Sequence, residues 1–188
     1  MANYSIFVLG ESAVSLTGGV TLDGITQGDG SHLVGETMTL TTRNFERVDM
    51  RDGGSDTDFD DNDGNQRLDG TQTLFGTTYA NGTRVEAEYE FVLRDDTTGV
   101  EYRVIAVNFV NSNPSYATNE ALAFVGTVPP FNAPLRVISA REGPGGYGTP
   151  SVDVSQIVPV CFCKGTQIET ADGLQRVEDL RPGTRVRR

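Results

Sequence analysis

The sequence has no tryptophan, a single histidine (His32) and two cysteines in 188 residues. Cys161 and Cys163 stand two apart, and the ring closed by a disulfide between them would be strained, so no structural disulfide is expected. There is no second cysteine pair or histidine cluster to complete a tetrahedral metal site. His32 lies in a Gly/Ser-rich turn with no serine or cysteine nucleophile near it in sequence, and reads as a surface side chain. No stretch approaches the roughly 20 apolar residues of a membrane span, so membrane insertion is not expected. Met1–Gly10 carries no basic residue ahead of its short apolar run Ile6–Leu9, which argues against a cleaved secretory signal. The expectation is a chain that stays in the cytoplasm, or one exported to the cell surface or beyond by a route that reads no N-terminal signal.

What is present is acid and glycine. The net charge is −11, unevenly spread. Residues 161–188 hold six basic and four acidic residues, a net +2, which leaves the first 160 with nine basic against 22 acidic, a net −13. Such a surface repels nucleic acid and anionic membrane, and it suits divalent cations. The 22 glycines are scattered between short β-branched and aromatic runs, the pattern of many short strands joined by tight turns.

Strands are expected at Ser5–Leu9, Val14–Leu16, Thr37–Thr42 and Phe45–Met50. The clearest is Arg84–Arg94, where Val85, Ala87, Tyr89, Phe91 and Leu93 alternate with Glu86, Glu88 and Glu90, giving one apolar and one acidic face. Glu101–Val110 follows as its antiparallel partner. It is apolar on both faces, which predicts a central strand covered twice, as in a sandwich. Later strands are expected at Ala121–Val125 and Leu135–Ala140, with a helical turn as the alternative over Asn119–Phe124. The fold class is therefore all-β, an antiparallel sandwich or barrel. Residues 1–140 form this acidic module. Residues 141–159, dense in glycine and proline, are expected to be a linker.

Seven aspartates crowd residues 49–63. Asp56, Asp58, Asp60 and Asn62 alternate, so several oxygens would turn toward one centre, as calcium requires. The spacing matches the start of an EF-hand loop at Asp58, Asp60 and Asn62, but Asp63 stands where that loop needs glycine. Its twelfth position falls on Asp69, shorter than the usual glutamate. The candidate calcium ligands are Asp56, Asp58, Asp60, Asn62, Asp63 and Asp69. A solvated acidic loop that holds no ion is the alternative. Without a cation the like charges would repel, and the loop is expected to be mobile.

Beyond Val160 the sequence reads Cys161-Phe162-Cys163-Lys164-Gly165-Thr166-Gln167-Ile168-Glu169-Thr170, then Gly173, Val177-Glu178, Leu180 and Gly183. Gln167–Thr170 and Leu174–Val177 form a hairpin pattern around Asp172-Gly173. This resembles the first block of the Hint (hedgehog/intein) domain, with matches at Cys161, Phe162, Gly165, Thr166, Ile168, Thr170, Gly173, Val177, Glu178, Leu180, Gly183 and Val186, and a departure at Thr184 where the family has aspartate. The residues before it, among them Asp61–Gly64, Leu68–Gln72 and Val85–Tyr89, resemble the modules that bacterial secreted proteins place ahead of a Hint domain. The resemblance implies that Cys161 is the nucleophile whose thiolate attacks the Val160 carbonyl to form a thioester. The family also uses a later Thr-x-x-His pair, and no histidine follows Cys161 here. Residues 160–188 are thus read as an incomplete start of a Hint domain, and self-processing of this chain is not expected.

Three functions follow as expectations. The first is a secreted or surface-associated β-module, calcium-assisted, that binds a protein or surface partner or serves adhesion or assembly. The second is an autoproteolytic or splicing protein seen as a fragment. The third is a subunit that self-assembles into a homo-oligomer through exposed strand edges.

Overall fold

Short extended runs with alternating apolar residues build an antiparallel all-β fold. The computed structural model describes residues 2–24, 28–54, 56–109, 113–158, 167–171, 173–181 and 183–186. Its strands are β1 (Ala2–Gly10), β2 (Val14–Leu16), β3 (Thr37–Leu40), β4 (Phe45–Asp52), β5 (Gln66–Leu68), β6 (Gln72–Leu74) and β7 (Thr77–Tyr79). They continue with β8 (Glu86–Arg94), β9 (Glu101–Asn108), β10 (Ala121–Val125), β11 (Leu135–Glu142), β12 (Ile157–Val158), β13 (Gln167–Thr170) and β14 (Gly173–Arg176). Asn119–Phe124 forms no helical turn. Glu120 donates to Val107 O, and β10 begins at the next residue, because β9 offers it a ladder to join.

Nine strands run in the order β2-β3-β11-β8-β9-β10-β1-β4-β5, and β12 adds a tenth beside β10. The path starts at β2 and ends at β5 without closing on itself, so the arrangement is sandwich-like rather than a barrel. The central strands are apolar on both faces. Ile105, Val107, Ala121 and Ala123 join Ile6, Val8, Val48, Met50 and Phe59 in one core. Val104, Ala106, Leu122 and Phe124 join Leu22, Leu33, Met38, Leu40 and Phe91 in a second. Covering the sheet twice is what the two-faced sequence of β9 demands.

In β8 the simple alternation is interrupted. Ala87 stands opposite Val107 and Tyr89 opposite Ala106, so Glu88 is the extra residue of a bulge. Val85 and Ala87 therefore face the first core, whereas Tyr89, Phe91 and Leu93 face the second. The acidic face expected for this strand is buried. Glu86 pairs with Arg84, and Glu90 pairs with both Arg103 and Arg141. Glu88 accepts from Asn108 at 3.0 Å.

The stretch expected to be a linker packs onto the body instead. β11 runs on to Glu142, and Val152 and Ile157 are buried in the first core. Phe59 N–H donates to Val152 O at 2.7 Å, and Val154 N–H donates to Thr57 O at 2.9 Å. Glycine here serves close packing rather than freedom of the chain. A Cβ on Gly143 would lie 1.7 Å from the Ala87 carbonyl oxygen and 2.7 Å from Asp61 Cβ. Pro159 lies outside the described residues.

β13 and β14 pair as a separate two-stranded sheet, with Thr170 opposite Gly173. Thr170 Oγ1 donates to Gly173 O at 2.7 Å, and Val186 bridges back to Thr170. The hairpin is the expected one, except that Val177 leaves the strand to start a short 3-10 turn over Val177–Asp179.

Gly143→Ala should destabilise the chain by about 3 kcal/mol or more, because neither backbone nor Asp61 can move aside cheaply. Gly64→Ala, with nothing near its Cβ position, should change stability by less than about 1 kcal/mol. Urea denaturation of both variants checks this. Equal, small effects would mean that residues 143–158 do not pack as described.

Candidate functional site

Among the described residues, the acidic loop between β4 and β5 is held down over residues 59–61. Phe59 is completely buried in the first core, between Asp58 and Asp60. The side-chain amide of Gln66, itself buried, grips Asp60 from both sides. Its Oε1 accepts from Asp60 N–H at 2.8 Å, and its Nε2 donates to Asp60 O at 2.5 Å. Asp61 N–H donates to Pro144 O at 2.6 Å, and Ala87 N–H donates to Asp60 O at 3.2 Å. A mobile loop was expected from charge repulsion alone. An apolar anchor and backbone hydrogen bonds fasten it despite that repulsion.

The loop divides its carboxylates between two clusters. The first gathers at the end of β4. Val48, Met50 and Asp52 share the inward face of that strand, so Asp52 continues a buried apolar row and is 0% exposed. Its Oδ1 accepts from Gly54 N–H at 2.6 Å, while its Oδ2 is buried and receives no hydrogen bond. Asp63 and Asp56 are the neighbouring charges that act on it. A methyl group placed on Gly54 would meet Asp52 Oδ1 at 3.1 Å and Asp56 Oδ2 at 3.5 Å, so both oxygens border one small space. Asp60 accepts from Ser151 Oγ at 3.1 Å through Oδ2, and its Oδ1 is buried without a partner.

Electrostatics agree with this crowding. Burial first, then the charges of Asp63 and Asp56, raise the Asp52 carboxyl above its ordinary value against the lowering effect of the Gly54 N–H. Burial also raises Asp60, helped by Asp58, Asp56 and Asp63. The Tyr4 hydroxyl donates to Asp58 O at 3.3 Å and is pushed up by burial and then by Asp52, Asp63, Asp56 and Asp60. Among the described residues no arginine forms an ion pair with Asp52, Asp56, Asp60 or Asp63. The only lysine of the chain is Lys164, outside the described residues.

The second cluster lies on the other side of the loop. Asp61, Glu86 and Glu88 are 7%, 2% and 6% exposed, with Glu142 half-buried beside them. Asp61, Glu88 and Glu142 border a cleft of about 470 Å³ whose walls include Gly28, Tyr116 and the outward-standing Tyr147. Burial, then Glu88, Glu86 and Glu142, push the Asp61 carboxyl up to about 7. Burial pushes Glu88 up to about 7 as well, opposed by the Asn108 hydrogen bond and reinforced by Glu86 and Glu142.

The expected calcium ligands are thus only partly brought together. Asp56 and Asp63 act on the charge of Asp52, while Asp60 stands against Ser151 and Gly145. Asp58 spends its backbone on a bridge to Asp153, and Asn62 turns its side-chain amide to Asp61 Oδ2 at 2.8 Å. Asp69 is not in the cluster. Its N–H donates to Asp49 O, three residues back along β4 from Asp52 and so about 10 Å away. An EF-hand-like arrangement through Asp58, Asn62 and Asp69 is therefore not formed. Asp52 was missed as a site residue, although the inward row Val48, Met50, Asp52 was readable. Among the described residues no three acidic, cysteine or histidine side chains stand close enough together to hold a metal ion as they are placed. The oxygens are of the type a hard cation takes, and two of them, Asp52 Oδ2 and Asp60 Oδ1, are buried without a hydrogen bond. Cys161 lies outside the described residues. His32 Nε2 donates to Thr21 O, 3.1 Å away, and the ring packs edge-on against Tyr89, which gives it a packing role.

No protein-family profile matches the chain, and comparison with curated proteins and with solved structures likewise gives no match.

Asp61 and Glu88 hold their protons more tightly when folded than when unfolded, where carboxyls titrate near 4. Between about pH 4 and pH 7 the folded state therefore binds more protons, and stability falls as pH rises through about 7. In EDTA, denaturant midpoints should fall from about pH 5 to about pH 8, with a shallower fall in the Asp61→Asn/Glu88→Gln double variant. A double variant with the parental slope would remove these two carboxyls as the cause.

Proposed function

We propose that residues 2–158 are a binding module that works at the cell surface or outside the cell, organised by calcium taken up in the acidic loop, and placed ahead of a Hint-type self-processing segment. The observation that carries this reading is the buried carboxyl of Asp52, which has no arginine partner among the described residues. Elsewhere the chain spends its arginines on its carboxylates: Arg84 on Glu86, Arg103 and Arg141 on Glu90, Arg136 on Asp96, Arg47 on Asp49. Asp52 has no such partner and its burial is costly, whereas Asp60 and Asp63 are half-buried and Asp56 is exposed. A divalent cation offsets that cost. Calcium is the best fit, because it accepts many carboxylate oxygens in flexible geometry, whereas magnesium keeps most of its water.

Weak calcium sites are filled at the concentrations found outside cells, which supports an exported module. The acidic surface turns nucleic acid away, so the partner is a protein or a surface component. The hairpin of β13 and β14 has the form that the Hint resemblance of residues 160–188 leads one to expect, and supports that placement. Cys161 stays the nucleophile that the resemblance implies, in an incomplete Hint segment that is not expected to self-process.

Thermal unfolding in millimolar calcium, magnesium and EDTA tests the reading. A ligand at 100 times its Kd stabilises by about 2.7 kcal/mol, and in a chain of this size that raises Tm by about 5 °C or more. Calcium should give that rise and magnesium much less. Identical melting in all three conditions would remove calcium from the account.

A further inference from the structure

We propose that Arg51 and Arg67, meeting at the Asn81-Gly82 turn, form a seat for one tetrahedral oxyanion, a phosphate or sulfate group, on the outer face of β4 and β5. The ladder brings the two arginines together, since Arg51 stands directly opposite Arg67. Their flanking residues, Met50 and Asp52 on β4 and Gln66 and Leu68 on β5, are fully buried. Both arginine side chains therefore leave the sheet on its outer side, as neighbours across the ladder. They then converge on one residue of the turn that follows β7. Arg67 Nη1 donates to Gly82 O at 2.9 Å, and a Cβ on Gly82 would lie 3.4 Å from Arg51 Nη2. With φ at +82°, Gly82 takes a left-handed conformation that suits glycine, and no side chain stands between the two guanidinium groups there.

Like charges directly opposite each other in a ladder repel. In this chain the neighbouring carboxylates do not relieve that repulsion. Arg84 stands opposite Arg67 on its other side, and is spent on Glu86. Asp49, two residues back along the outer face from Arg51, is taken by Arg47 at 2.7 Å. Among the described residues of the module, only Arg43, Arg51 and Arg67 of the arginines form no ion pair, and Arg43 lies over the Phe131 ring. The two arginines left over are thus the two that face each other.

A cleft of about 170 Å³ opens beside the pair, bordered by Arg51, Arg67, Gly53 and Asn65. A guanidinium presents its N–H donors as a planar fork that matches phosphate and sulfate oxygens, and two forks can share one such group. A doubly charged group matches the two guanidinium charges and offsets their repulsion. With nine basic against 22 acidic residues, the first 160 residues turn a polyanion away, so the occupant carries a single anionic group. That group is a free ion or one ester on an otherwise neutral sugar. The seat is independent of the calcium reading and lies on the opposite face of β4 from Asp52.

Calorimetric titration of the full chain in EDTA, with ionic strength held constant by sodium chloride, tests the seat with inorganic phosphate, inorganic sulfate and glucose 6-phosphate. Phosphate and sulfate should each fill one site. Arg51→Gln and Arg67→Gln should each weaken it about tenfold or more, while Arg43→Gln leaves it within about twofold. Arg51→Lys keeps the charge without the fork and should weaken binding about fivefold. Arg51→Gln removes a repelling charge, so in chloride it should melt no lower than the parent, yet lose the rise in Tm that phosphate gives the parent. This separates loss of binding from loss of fold. Glucose 6-phosphate binding more tightly than phosphate assigns the seat to a carried ester, and weaker binding assigns it to the free ion. No binding of phosphate or sulfate by the parent at tens of millimolar, or binding unchanged in both Gln variants, would overturn the proposal and leave the calcium reading untouched.

Discussion

The burial of one ring, Phe59, imposes the constraint from which the rest of the site follows. Its neighbours on both sides are aspartates, so placing the ring in the core carries Asp58 and Asp60 with it. Burying a phenylalanine stabilises by about 1.5–3 kcal/mol, and the backbone bonds from Asp60, Asp61 and Phe59 add to that. Against this stand carboxylates gathered on both sides of the loop, of which only Glu86 has an arginine partner among the described residues. The loop is thus held between an apolar attraction that fixes where it lies and a like-charge repulsion that opposes it. A proton or a cation relieves that repulsion, and the two clusters differ in which one they favour. Asp61 and Glu88, pushed up to about 7, take a proton readily near neutrality. The carboxylates near the end of β4 are where the proposed calcium would sit.

The sheet makes this arrangement possible. Strands apolar on both faces lie at its centre, and the loops that cover each face must bring apolar side chains of their own. Leu22 and Leu33 do this on one face, and Phe59 and Val152 on the other. The bulge at Glu88 moves β8 from one core to the other and leaves Glu86 and Glu88 facing the acidic loop. Gly143 then lets the segment after β11 lie directly on Ala87. Acidic loop, bulge and returning segment meet at one place, which is why the second cleft forms there.

Much of this was legible in the sequence where the periodic signal was long. The strands from β1 to β4, β8 to β11 and the β13–β14 hairpin lie where alternation and turn residues put them, and the two-faced pattern of β9 announced a doubly covered sheet. β5, β6, β7 and β12 were not seen, because two or three residues such as Gln66-Arg67-Leu68 are too short to show a period. The Gly/Pro-rich stretch misled for a different reason: glycine marks close approach as well as freedom, and only the packing of Val152 and Ile157 tells them apart. Asp52 could have been found by extending the inward row of β4 two residues further. The grouping of Asp61 with Glu86 and Glu88 could not, since it depends on a bulge that shifts the register between Ala87 and Tyr89.

The central claim is that the loop anchored by Phe59 is completed by a cation at the end of β4. Amide hydrogen exchange measured residue by residue, in EDTA and in calcium, addresses it most directly. The account predicts that calcium slows exchange at the Gly54, Phe59, Asp60 and Asp61 N–H groups while the central strands β8 and β9 change little. Equal exchange at those four groups with and without calcium would contradict it.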